Sequence, residues 1–148
     1  MAFKRILVPV DYSEPSRKAL ELALSLDAAA ELNVIHVWDR PSFVSEEMVV
    51  HKDGARHSLS ELIRENAERE MVEFLASVNV PAGKQFAHHL VSGEPVSAIL
   101  HEAAKPGYDV LVVGTRGRTG MTRLLLGSVT EKLIRLSPIP VLSVPCER

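Results

Sequence analysis

The feature that most constrains this chain is an alternation. Short runs rich in Val, Ile and Leu fall at residues 6–10, 33–37, 85–91, 110–113 and 140–144, and helical patterns fill the intervals between them. The runs have strand length, and Val110-Leu-Val-Val113 has no polar residue to turn toward water. Such a strand is expected to be covered on both faces. A βαβαβαβαβ order implies a parallel sheet with right-handed crossovers and helices on both sides. Open sheets of this kind take ligands beyond the carboxyl ends of their strands, where the strand order reverses. That rule directs attention to Asp11 and Gly114, which follow the first and fourth runs.

The helices carry their own start and stop signals. Ser13 is a good N-cap with Pro15 in the first turn, and Ala19, Leu20, Ala23, Leu24 and Leu26 supply an apolar face. Ser58-Leu-Ser-Glu61 reads as a capping box, followed by Leu59, Leu62, Ile63, Ala67, Met71, Phe74 and Leu75 in steps of three and four. A third helix is expected from Pro95, with Val96, Ile99, Leu100 and Ala103 on one face, ending before Pro106-Gly107. A fourth follows Ser128 and stops before Pro138. The long segment 39–57 has no evident element of its own. It reads either as a flap or partner surface or as plain disorder.

At 148 residues and 46% apolar, the chain fits one domain spanning 1–148. A net charge of −2 gives no overall field to recruit nucleic acid or an anionic membrane. No stretch is long and apolar enough to span a bilayer, and the start has too short an apolar run for a signal peptide. The single cysteine, Cys146, cannot form an internal disulfide or a multi-cysteine metal site. A cytoplasmic location is the default expectation.

Half of the chain's eight glycines lie between 114 and 127, in Gly114-Thr-Arg-Gly117-Arg-Thr-Gly120-Met-Thr-Arg-Leu-Leu-Leu-Gly127-Ser128. Glycine lets a ligand approach the backbone closely, and successive N–H groups can converge on phosphate oxygens. Gly127-Ser128 opens the last helix, so its unpaired amides and positive dipole end would face the same anion. Arg116, Arg118 and Arg123 make the segment basic, with no acidic residue among them. The spacing matches neither G-x-x-x-x-G-K-[ST] nor G-x-G-x-x-G. A turn-rich loop in which Ser128 merely caps the helix, with Glu131 completing a capping box, accounts for the same residues.

Gly114-x2-Gly117-x9-Gly127-Ser128 resembles the ATP-binding motif of the universal stress protein family, G-2x-G-9x-G-[S/T]. Other segments resemble it in register: Ile-Leu-Val-Pro-Val-Asp-Tyr-Ser (6–13), His36-Val37, Gly93-Glu-Pro-Val-Ser-Ala-Ile99 and Pro140-Val-Leu-Ser-Val144. The resemblance covers the chain apart from 39–57. It implies an adenine-nucleotide α-hydrolase-like fold with five strands in the order 3-2-1-4-5, and ATP (or AMP or ADP) across the first and fourth. Pro9, Val10, Asp11, Val37 and Val113 would surround adenine and ribose. Asp11 would accept hydrogen bonds from the ribose hydroxyls or the adenine edge. Gly114, Arg116, Gly117, Arg118, Gly127, Ser128, Val129 and Thr130 would hold the phosphates, with Mg2+ bound through them. The resemblance also implies a homodimer through the edge strand at 140–144.

Simpler roles stand beside these. Asp11 also suits a turn, and His36 suits packing. His88 and His89 point to opposite faces of a strand and cannot chelate one ion together. His51, His57 and Asp53 are weak candidates for a metal. Tyr12 and Trp38 flank the expected crevice, where each could stack or pack. Three functions remain open: a nucleotide-binding regulator, a slow ATPase or autophosphorylating enzyme, and an adaptor dimer that is empty or takes cAMP, with an unknown protein partner. In the second case Ser128 or Thr130 could accept phosphate, but the motif supplies no evident base.

Overall fold

The computed structural model describes residues 2–38, 44–45, 47–115 and 127–145. The elements run β1 (Arg5–Pro9), α1 (Glu14–Leu26), β2 (Glu31–Trp38), β3 (Val49–Lys52), β4 (Ala55–Ser58), α2 (Leu59–Ala76), β5 (Ala87–Ser92), α3 (Pro95–Ala103), β6 (Val110–Gly114), α4 (Ser128–Leu136) and β7 (Val141–Val144). The main sheet has the order β5-β2-β1-β6-β7 and every pairing in it is parallel. Counted over its own strands, this is 3-2-1-4-5.

Side-chain alternation divides the interior into two layers. Ile6, Val8 and Val10 pack with Leu20, Leu24, Met71 and Phe74, beneath α1 and α2. Leu7, Ile35, Leu111 and Val113 pack with Ile99, Ala103 and Leu133, beneath α3 and α4. All of β6 is buried, as its unbroken apolar run requires. Among the described residues few polar side chains are buried inside these layers. Glu102 is one. Burial opposes its ionisation, but hydrogen bonds from Lys105 (2.7 Å) and the Tyr108 hydroxyl (2.9 Å) outweigh that and hold its carboxyl below the usual value.

Two expectations need correction. The segment 39–57 is not a structureless loop throughout: residues 49–58 form an antiparallel hairpin, β3–β4. Its two-residue turn is Asp53-Gly54, both at positive φ (53° and 76°), the type I′ geometry that matches strand twist. Residues 39–43 and 46 lie outside the described residues. The expected capping box at α2 is also not made. The Ser58 hydroxyl meets that of Ser60 at 2.9 Å, and no side-chain cap bond forms.

Candidate functional site

The switch point lies between β1 and β6, which pair at Ile6–Val110 and Leu7–Leu111 while their crossovers leave in opposite directions. Beyond their carboxyl ends is a cleft of about 260 Å3. From β1 and the turn after it come Pro9, Val10 and Asp11, from β2 Val37, and from β6 Val113 and Gly114. Gly127, Ser128, Val129 and Thr130 close it from the start of α4. Thus every described residue expected at the site lies on one cleft. Arg116, Gly117 and Arg118 fall outside the described residues, as do Gly120, Arg123 and Cys146.

Five further residues line the cleft that local motifs did not single out for it: Ser16, His36, Pro95, Ile99 and Leu133. The last three come from the facing sides of α3 and α4 and give the cleft an apolar wall. No spacing in the chain announces them, because they meet only through the sheet topology. His36 was expected to pack, and it does more than that. Its Nδ1–H donates to the Val10 carbonyl at 2.7 Å, fixing the backbone just before Asp11. The Tyr12 ring stacks on it at 4.1 Å and leans on Phe74 of α2 at 5.3 Å. Tyr12 sits at φ +65°, an uncommon conformation for a bulky residue. Trp38 lines a different cavity, between β5 and α2.

The turn after β1 is tightly wired. Asp11 Oδ1 accepts from the Ser13 amide at 3.0 Å and from the Ser13 hydroxyl. Ser13 caps α1 by accepting from the Ser16 amide at 3.3 Å, as its sequence position implied. Asp11 therefore has the turn role as well as a place on the cleft.

Gly114 is required by crowding rather than by an unusual φ. A Cβ there would stand 2.7 Å from the Pro15 carbonyl oxygen, closer than packed atoms can approach. The absent side chain lets the first turn of α1 press against the end of β6. Thr130 then locks α4 to the same point, its buried hydroxyl donating to the Gly114 carbonyl at 2.7 Å. Its side chain is thus engaged inward, within the first turn of α4. The Gly127 amide donates to the Thr115 carbonyl at 2.9 Å, drawing the two ends of the glycine-rich segment together.

The cap of α4 is Gly127, with Ser128 as the first helical residue. This corrects the capping-box alternative, which is one residue out of register, and no side-chain cap bond forms. Gly127 has no side chain to offer. Among the described residues, therefore, no side-chain carboxylate or hydroxyl caps the first-turn amides of α4.

A parallel α/β sheet with a ligand-sized cleft at its switch point, where a helix begins, is the architecture of doubly wound nucleotide-binding folds. The universal stress protein family model matches residues 2–145, and the chain belongs to that family. It is 33% identical to the universal stress protein YxiE of Bacillus subtilis over 96% of this chain and 99% of that one. Among solved structures it is similar to MJ0577 of Methanocaldococcus jannaschii, with a TM-score of 0.74, 27% identity and coverage of 100% and 99% of the two chains. It is also similar to a universal stress protein crystallised in complex with cAMP, with a TM-score of 0.58, 25% identity and coverage of 97% and 98%.

Proposed function

We propose that this chain is a nucleotide-dependent regulatory module that takes ATP in the switch-point cleft and acts as a homodimer. The observation that carries the reading is the start of α4, capped by Gly127 with no side-chain bond and set in a cleft whose other walls are mostly apolar. An apolar slot suits a purine, and free helix amides suit the phosphates attached to it. In this reading Pro9, Val10, Val37 and Val113 enclose adenine and ribose, and Asp11 accepts from a ribose hydroxyl or the adenine edge. Backbone amides from Gly114 and from Gly127 through Thr130 meet the phosphates, joined by Arg116, Gly117 and Arg118. Mg2+ rides on the phosphates. Among the described residues no trio of His, Cys, Asp or Glu comes together to hold a metal. The dimer forms through β7, which stands at an edge of the sheet.

A cyclic nucleotide is the second reading, favoured by the cAMP complex of the similar structure. Mass spectrometry of small molecules released from freshly purified protein, followed by thermal unfolding with ATP, AMP and cAMP, separates the two. A nucleotide held at 100 times its dissociation constant adds about 2.7 kcal/mol to stability. ATP is expected to stabilise most. Stabilisation by none of them at millimolar concentration refutes the proposal, and a larger effect from cAMP transfers it to the cyclic ligand. The module is read as a binder, so phosphate release from γ-labelled ATP should not exceed that of a Gly117→Ala control. Elution of the protein as a monomer on gel filtration would remove the dimer from the reading.

A further inference from the structure

Strands β1 and β2 separate beside the switch-point cleft, and they do so one hydrogen bond early. In a parallel pair, a residue donates to one residue of the facing strand and accepts from the residue two further on. Val10 makes the first of these bonds, its amide donating to the Ile35 carbonyl at 2.8 Å. The second would run from the Val37 amide to the Val10 carbonyl. It is not made. The pairing of β1 with β2 ends at Pro9–Ile35, and the Val10 carbonyl accepts instead from Nδ1 of His36 at 2.7 Å. A carbonyl oxygen only accepts, so Nδ1 carries the proton.

A side chain thus stands where a backbone donor would be. Successive residues of a strand bond to opposite sides, so Val37, like Ile35, turns its N–H and C=O toward β1. Trp38 has the other parity and accepts from the Gly93 amide, just past β5, at 3.2 Å. Because the ladder has ended, the main chain of Val37 faces the cleft that this residue lines. The imidazole is braced from behind. Its ring stacks on Tyr12 at 4.1 Å, and the Tyr12 hydroxyl donates to the Ala67 carbonyl of α2 at 3.4 Å. Tyr12 takes φ +65°, a conformation that a bulky residue keeps only where its surroundings hold it.

We propose that His36 is a positioning residue for the nucleotide: it occupies the Val10 carbonyl, keeps the next rung of the ladder open, and so leaves the Val37 main chain on the cleft. The inference rests on the reading of this cleft as a nucleotide site and adds what keeps its nucleoside end open. Without the imidazole, the Val10 carbonyl and the Val37 amide become each other's natural partners. Closing that rung carries the β1–β2 ladder further into the space assigned to adenine and ribose. His36 acts through Val10 and Val37 rather than through the ligand.

Amide exchange on the free protein and ATP titration of two variants test this together. In the wild type the Val37 amide should exchange at least about tenfold faster than that of Val10, which keeps its bond. His36→Leu has similar bulk and no donor. It should slow exchange at Val37 and weaken ATP binding, each about tenfold. His36→Asn can set an amide N–H where Nδ1–H stands, and should bring both readouts back to within about threefold of the wild type. A residue that only packs predicts the reverse order, with leucine tolerated and the smaller, polar asparagine more damaging. A Val37 amide as protected as that of Val10 in the free wild type overturns the inference without any variant, so poor folding of His36→Leu does not shelter it. Wild-type protein that binds no adenine nucleotide refutes the reading of the cleft and this inference with it. Equal ATP affinity in the wild type and His36→Leu overturns the inference alone.

Discussion

Two helices begin at the same cleft and end their N-termini in opposite ways. Glu94 caps α3, its carboxylate accepting from the amides of Val96 at 3.1 Å and Ser97 at 2.8 Å. Those two bonds hold the carboxyl below its ordinary value. At α4 the cap is Gly127, whose backbone carbonyl accepts from the Glu131 amide at 3.0 Å but which brings no side-chain acceptor. Among the described residues the chain thus supplies a side-chain anion for one helix start and none for the other. A helix start needs acceptors for its first amides, from the protein, from water or from a ligand. The contrast explains why phosphate is assigned to α4 and not to α3, although Pro95 lines the cleft as well.

The comparison can be broken by making α4 resemble α3. Gly127→Asp places a carboxylate on the α4 cap, and nucleotide affinity should fall about 30- to 100-fold, roughly 2–3 kcal/mol. The free protein should be stabilised by only a few tenths of a kcal/mol, since glycine is itself a tolerable cap. Isothermal titration with ATP and denaturant unfolding read the two effects separately. Unchanged affinity would mean that the α4 amides do not meet the phosphates.

A slightly smaller effect is expected where β6 meets α1. Gly114→Ala drives a Cβ against the Pro15 carbonyl and should cost about 1–3 kcal/mol in urea unfolding. Wild-type stability in that variant would mean that the close approach is not needed. Thr130→Val removes the 2.7 Å bond to the Gly114 carbonyl while keeping the shape of the side chain. It should cost about 1–2 kcal/mol and weaken nucleotide binding further by loosening α4.

The smallest effect belongs to Glu94. A carboxyl with a lowered native pKa contributes stability above its unfolded pKa and loses it as pH falls through the native value. Glu94→Gln should therefore flatten part of the acid limb of the stability profile and leave nucleotide affinity near neutral pH almost unchanged. An equally steep acid limb in the variant would show that the cap carries no pH-linked stability.

Much of this contrast was legible in the residues, and the remainder was not, for physical reasons. The central strands announced themselves because double-sided burial leaves no room for polar residues in runs such as 110–113, whereas the mostly exposed edge strand β5 was legible only from its place in the alternation. The Ser13 cap was legible because its hydroxyl and its Pro15 neighbour act locally. The hairpin β3–β4 was missed because its strands are short and mostly exposed and so lack an apolar signature. The Asp53-Gly54 pair was the available signal. The α4 cap was read one residue late, since Ser128-x-x-Glu131 has the composition of a capping box without its register. The Glu94 cap was missed because glutamate is an uncommon choice at that position, and only the Pro95 that follows it hinted at a helix start. Ile99, Leu133 and His36 reach the cleft through tertiary packing, which no local spacing encodes.

Nitrogen-edited NMR during an ATP titration tests the central claim most directly. The amides of Ser128, Val129 and Thr130 should shift in a saturable way, while those of Val96 and Ser97 stay near their starting positions. Shifts confined to Val96 and Ser97, or none at either helix at millimolar ATP, would contradict the account.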